Sequence, residues 1–186
     1  MHSPTVIPAK AGIQIALICL LLLFVPGTSQ ATLTIHLTLP KLAQASDAIV
    51  EGEIQKTYCK HIGKNIFTFA VLQVDKWHRG NAKTDTILVR VPGGRIGDRW
   101  MAVDGMPNFK KGERVFLFLL KQKGFWWTLG AQQGKFLLAK DDRGELQATR
   151  TFEGGGLLHV KGPVPQKLSY RELLFEVRLS LERKTP

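Results

Sequence analysis

The segment Ile66 to Arg79 reads IFTFAVLQVDKWHR and is the longest β-like run in the chain. Phe67, Phe69 and Val71 share one face of the strand it predicts. From Leu72 the apolar residues change phase, to Leu72 and Val74 and then Trp77. A phase change inside one strand is what a bulge produces, and bulges bend strands in barrels.

The flanking segments agree with a β architecture. Upstream, Ala48 to Tyr58 (AIVEGEIQKTY) alternates apolar and polar, with Ala48, Val50, Gly52 and Ile54 on one face. Glu51 and Glu53 share the other face and are expected to be surface acids. Gly63-Lys64-Asn65 marks the turn between the two strands. Downstream, Thr86 to Val91 puts Ile87, Val89 and Val91 on one face and Leu88 and Arg90 on the other. Pro92-Gly93-Gly94 stops it. Arg99 to Val103 is a short strand candidate.

Arg114 to Lys121 (RVFLFLLK) is apolar on both faces, so it is expected to be central and covered on both sides. Lys123-Gly124 predicts a tight hairpin into Phe125 to Leu129, where Trp126 and Trp127 fall on opposite faces. Lys135 to Lys140 and Glu145 to Phe152 form a further pair around Asp141-Asp142-Arg143-Gly144.

Two helices bracket the strands. Pro40 sits in the first turn of a short one over Leu39 to Ala45, where its missing N–H costs little. Ser169-Tyr170-Arg171-Glu172 is a capping box that opens the second, over residues 169–183. Tyr170, Leu173, Leu174, Val177 and Leu181 line one face of it, as a helix docked on a sheet requires. About eight strands between two helices, with no βαβ alternation, predict a mainly β fold: a small antiparallel sheet closed or nearly closed on itself.

Ile15 to Val25 reads IALICLLLLFV. A membrane-spanning helix needs about 20 apolar residues, so this run fits the core of a secretory signal peptide instead. Ser29-Gln30-Ala31 supplies small residues for cleavage after Ala31. Residues 1–31 are therefore expected to be a signal peptide, with residues 32–186 a single domain in the periplasm or outside the cell. No stable membrane span is expected after cleavage. Cleavage also removes Cys19 and leaves Cys59 alone, so no internal disulfide is expected. A lone thiol in an oxidising compartment is expected to be buried.

The chain carries 26 lysines and arginines against 15 acids, a net charge of +11 over 186 residues. All but one of the cations lie beyond residue 31. Such a charge favours solubility and attracts anions, which outside the cytoplasm are lipid head groups, acidic glycans and stray nucleic acid.

Catalytic chemistry has little to stand on. Beyond residue 31 the serines are Ser46, Ser169 and Ser180, with no G-x-S-x-G. Cys59-Lys60-His61 offers two metal ligands where zinc wants three or four. Gly93-Gly94-Arg95-Ile96-Gly97 lacks the lysine-serine ending of a phosphate loop. No catalytic residue, metal site or cofactor is expected; the enzymatic alternative is an unrecognised type using Cys59 with a histidine. The best binding candidate is a basic and aromatic stretch: Arg95, Arg99, Trp100, Phe109, Lys110, Lys111 and Arg114. Cations suit phosphate or carboxylate and flat rings suit stacking, as in sites for anionic glycans or single strands. An anionic glycan or another envelope protein is the expected partner, the latter through the C-terminal helix; specific nucleic-acid binding is not expected.

Two resemblances add to this. SPTVIPAKAGIQ, residues 3–14, resembles a stretch at the ends of many unrelated bacterial proteins where a dispersed genomic repeat is read as coding sequence, which implies a bacterial source. The run from Val89 to Leu138 carries RVPGG, Val103-Asp104-Gly105, Gly112-Glu113-Arg114-Val115 and GAQQGKFLL. With ASDAIVEGEI upstream and EVRLSL at the end, it resembles a family of uncharacterised secreted bacterial proteins. More remotely, the order DAIVEGEI, FTFAVLQV with WHRG, then KGERVFLFLL is similar to the netrin-like, OB-like barrel of the tissue inhibitors of metalloproteinases. That resemblance implies an OB-like β-barrel. It does not extend to inhibition, because those inhibitors chelate the protease zinc with an N-terminal cysteine and Thr32 would stand there.

Overall fold

A computed structural model describes residues 37–81, 84–150 and 166–183. The expected signal peptide and the last two residues of the Glu145 to Phe152 strand lie outside the described residues.

Helix α1 (Leu39–Ala45) has proline in its first turn and buries Leu39, Leu42 and Ala43. Strands β1 (Ala48–Ile62) and β2 (Asn65–Arg79) form a long antiparallel hairpin. Then come β3 (Thr86–Pro92), the small hairpin β4 (Gly94–Ile96) with β5 (Arg99–Met101), and β6 (Arg114–Gln122). β7 (Phe125–Thr128), a 3-10 turn (Ala131–Gly134), β8 (Lys135–Lys140), β9 (Leu146–Arg150) and β10 (Gln166–Ser169) precede helix α2 (Tyr170–Glu182). Lys123 and Gly124 both have positive φ (50° and 81°), as the two-residue turn between β6 and β7 demands.

The main sheet has eight strands in the order β1-β2-β3-β7-β6-β8-β9-β10, with β1 also paired to β6. That last pairing, Ala48↔Leu119 through Glu53↔Arg114, brings β1, β2, β3, β7 and β6 into a ring. The sheet is mixed, not wholly antiparallel as expected. β3 and β7 meet in parallel at Val89↔Trp126. The chain between them runs out through β4, β5 and β6, so no tight turn forces them to oppose one another.

β6 explains the layering. Its first half lies between β1 and β8, its second half beside β7. Val115, Leu117 and Leu119 point into the ring, where they meet Val50, Leu72 and Val89. Phe116 and Phe118 point the other way, into a second core built with Leu42, Ile49, Phe136 and Leu173. All five of these β6 residues are fully buried, so the expectation of a strand covered on both sides is met. Each fully buried side chain of this kind contributes about 1.5–3 kcal/mol relative to exposure.

The β1–β2 register shifts three times, at Ile49/Val50, Glu51/Gly52 and Ile54/Lys56. The first two leave His78 and Asp75 as extra residues on β2, the third leaves Gln55 as an extra residue on β1. The bulging of β2 thus falls between Val74 and Arg79, not at Leu72. Ala70, Leu72 and Val74 face the ring core without interruption. Phe67, Phe69 and Val71 are on the opposite, outer face. Apolar residues crowd both faces of β2 here, and that overlap looks like a phase change in the linear sequence.

α2 begins with the complete capping box: Ser169 Oγ accepts from the Glu172 N–H at 3.2 Å, and Glu172 Oε2 accepts from the Ser169 N–H at 2.8 Å. Leu173 and Val177 are buried against the second core, with Tyr170, Leu174 and Leu181 packed around them. The apolar face of α2 is therefore occupied within the chain. No helix among the described residues is long and apolar enough to cross a membrane.

Candidate functional site

The structure separates the basic and aromatic residues of the 95–114 stretch. Phe109 is 4% exposed and packs in the ring core, because the turn before β6 tucks it inward. Arg114 leaves the start of β6 to pair with Asp75, Nη2 to Oδ2 at 2.7 Å. Lys110 and Lys111 are exposed at the turn into β6, where the Lys110 N–H is tied to Glu113. Arg95, Arg99 and Trp100 are exposed on the β4–β5 hairpin, with Arg95 directly opposite Trp100. The hairpin residues form one group; Phe109 and Arg114 belong to others.

A denser constellation lies on the outer face of the ring, across β1, β2, β3 and β7. Strand alternation puts Tyr58, Phe67, Phe69, Arg90, Phe125 and Trp127 on this face. The Arg90 guanidinium lies 3.7 Å from the ring centre of Phe67, 5.0 Å from Trp127 and 5.1 Å from Phe125. Phe69 is buried at the middle of the group. Tyr58 stacks on it at 5.3 Å and 13°, and Phe125 meets it edge-on at 5.8 Å. Lys56 and Lys60 extend over Tyr58, at 5.8 and 5.4 Å from its ring centre.

The electrostatics are one-sided. Among the described residues, no carboxylate is in ion-pair range of Arg90, Lys56 or Lys60. The Arg90 Nε is buried and has no hydrogen-bond partner there. Aromatic faces stabilise a cation by about 0.5–2 kcal/mol each, but they do not replace hydrogen bonds to the guanidinium. The arrangement holds a cation in a fixed orientation and, among the described residues, leaves its Nε without an acceptor. Beside this face a groove of about 420 Å³ runs past Thr86, Leu88, Lys121 and Trp126.

Alternation in the sequence puts Arg90 with Leu88 on the face of β3 opposite Ile87, Val89 and Val91, and Phe67 with Phe69 on one face of β2, and by itself gives neither group a role. The signal was parity: in β2 and β3 the aromatic and cationic residues occupy the positions opposite to Ala70, Leu72 and Val89.

A second polar group corrects the reading of Glu51 as a surface acid. Glu51 Oε2 is 3.2 Å from His78 Nε2 and also accepts from the Tyr170 hydroxyl. Its side chain is 13% exposed. Burial raises its pKa, but the hydrogen bonds from His78 and Tyr170 and the charges of His78 and Lys76 outweigh this and hold it below the usual value. Burial, then the bond to Glu51, raises the Tyr170 pKa well above its usual value. The second register shift, at Glu51/Gly52, falls between Glu51 and Glu53; Glu53 is half-buried at the end of the β1–β6 pairing.

The remaining candidate groups are engaged locally. Ser46 and Ser180 hydroxyls donate to the backbone carbonyls of Leu42 and Glu176. Cys59 is half-buried, not fully buried as expected, with its sulfur 3.4 Å from Thr68 Oγ1. Among the described residues no three His, Cys, Asp or Glu side chains converge as a metal site requires. Comparison with protein-family models, with curated proteins and with solved structures finds no match.

Proposed function

We propose that this chain is an exported, non-enzymatic binding domain. Its ring of strands is read as an OB-like barrel that takes an acidic oligosaccharide of the cell envelope on the outer face of β2, β3 and β7. The observation that carries this reading is Arg90. A guanidinium clamped among Phe67, Phe125 and Trp127, without an acid partner among the described residues, is oriented for an anion that comes from outside. Arginine recognises carboxylate and sulfate bidentately, and its planar group is pre-organised here by the rings around it. The same rings offer flat apolar area for sugar faces. OB-type barrels use the strand 2–3 face to hold oligosaccharides and oligonucleotides. The expected export favours the glycan.

The test is calorimetric titration with a sulfated or carboxylated glycan such as heparin oligosaccharide, at rising salt. Arg90→Gln is expected to weaken binding by roughly tenfold to a hundredfold, the worth of a charge-assisted hydrogen bond. Trp127→Ala is expected to weaken it as well, and added salt to weaken the wild type. Binding that survives Arg90→Gln unchanged would overturn the assignment of this face.

A further inference from the structure

Four large apolar residues are exposed among the described residues: Ile62 at 41%, Trp100 at 72%, Val103 at 38% and Phe175 at 64%. Three of them lie on or beside two hairpins that pack at their bases, β1–β2 and β4–β5. Ile62 opens the β1–β2 turn. The Gly93 N–H donates to the Ile66 carbonyl at 2.9 Å, which holds the start of the β4–β5 hairpin against the same turn. Val103 packs beside Gly93, and a methyl group at Gly94 would lie 2.6 Å from the Cys59 sulfur. Gly94 has a φ of 137°, so glycine is needed there both for conformation and for this approach.

The charges around these residues are mostly of one sign. Lys60 and Lys64 flank Ile62, and Arg95 and Arg99 flank Trp100, against Asp98 and Asp104. None of the four cations is in an ion pair among the described residues. Arg95 Nε donates to the Gly97 carbonyl at 2.9 Å, which stiffens the hairpin turn. Ile62 and Trp100 are thus at the tips of two adjoining hairpins, and each tip carries two cations.

We infer that this end of the ring docks on an anionic phospholipid bilayer, with Trp100 and Ile62 entering the head-group region and the four cations resting on lipid phosphates. Tryptophan favours the membrane–water interface because its ring is apolar and its N–H is polar. Lysines and arginines near an anionic surface add attraction that falls off within a Debye length. An apolar protein partner would not call for four cations around the apolar tips, and a soluble glycan would not call for Ile62 and Val103.

The experiment uses the full chain with vesicles of phosphatidylglycerol and phosphatidylcholine in equal parts, or phosphatidylcholine alone. Residues 15–25 are themselves apolar, so the reading must be local to Trp100. The Trp100 signal is the emission of the wild type minus that of Trp100→Phe, a change at an exposed position that leaves both cores intact. This difference is expected to shift to the blue and to be quenched by brominated lipid, on the anionic vesicles only. Arg95→Ala with Arg99→Ala is expected to weaken the concentration dependence of that shift by roughly thirtyfold, and Ile62→Ser to weaken it further. A Trp100 signal that does not respond to anionic vesicles would overturn the inference. So would an equal response to phosphatidylcholine alone, or the same blue shift of the Trp100 signal produced by soluble heparin with no vesicles present.

Discussion

The Tyr170 hydroxyl donates to the Glu51 carboxylate across 119 residues of sequence. Tyr170 is the first residue of α2 and Glu51 lies on β1, so one bond fastens the C-terminal helix to the first strand. His78 of β2 approaches the same oxygen at 3.2 Å and lies 4.9 Å from the ring of Phe116. The acid is thus the hub of a small polar group at the rim of the second core. Tyr170→Phe removes one donor and keeps the ring. It is expected to destabilise the fold by about 1–2 kcal/mol in urea unfolding, with most of the loss in the docking of α2.

Glu51 makes this tie sensitive to acid. Its pKa is lowered in the folded chain, so its contribution is fully present above the ordinary carboxylate range. That contribution falls as pH drops through the lower, folded value. The stability gap between wild type and Glu51→Gln should therefore be widest near neutral pH and narrow as pH falls below about 4. Denaturant titrations of both proteins between neutral and acid pH measure it. A gap that widens on acidification would contradict the lowered value.

β6 has core on both sides, so truncation on either face should cost the same order of stability. Phe116→Ala is expected to destabilise by about 3–5 kcal/mol and Leu117→Ala by about 2–5 kcal/mol. A strand with one solvated face would instead show one large and one small value. Chemical denaturation of the two variants separates these cases.

Gly52 sits at the second register shift between β1 and β2. A methyl group there would lie 2.0 Å from the Gln73 carbonyl oxygen, a backbone atom that cannot swing aside. Gly52→Ala is expected to cost more than about 3 kcal/mol, or to leave the chain insoluble, because the strands must separate at a bulge that closes the ring. Gly63→Ala, at a turn with open space around it, is expected to cost only about 1 kcal/mol from its positive φ. Thermal unfolding of the two variants compares them directly.

Arg90 should matter more to binding than to folding. Its cation–ring contacts are each worth about 0.5–2 kcal/mol and overlap, so Arg90→Gln is expected to lower stability by only about 1–2 kcal/mol. Arg90→Lys keeps the charge but loses the planar group that fits between Phe67 and Trp127, and it should not restore glycan binding. Paired stability and titration measurements on the two variants report this split.

Much of the architecture was legible in linear order. Alternation located β1 and β3, and the doubly apolar RVFLFLLK segment announced β6 as a strand with core on each side. The Ser169–Glu172 box marked where α2 begins, and Lys123-Gly124 marked the β6–β7 turn. These features are local: a period, a cap or a turn is set by residues a few positions apart. The position of a bulge is less so. Apolar residues on both faces of β2 imitate a phase change, and only the pairing with β1 shows where the extra residues fall.

The site belongs to the tertiary structure. Arg90 is 23 residues from Phe67 and 37 from Trp127 in sequence, and no spacing rule joins them. They meet because β3 lies beside β2 and pairs in parallel with β7. The same closure buries Phe109 and gives Arg114 to Asp75, which dissolves the patch that proximity in sequence suggested. By itself the sequence determined which residues could face a core, where strands turn and that the chain is strongly basic. The folded ring decided which cations have partners and which rings enclose them, because charge pairing and stacking act through distances of a few ångströms that only strand closure sets.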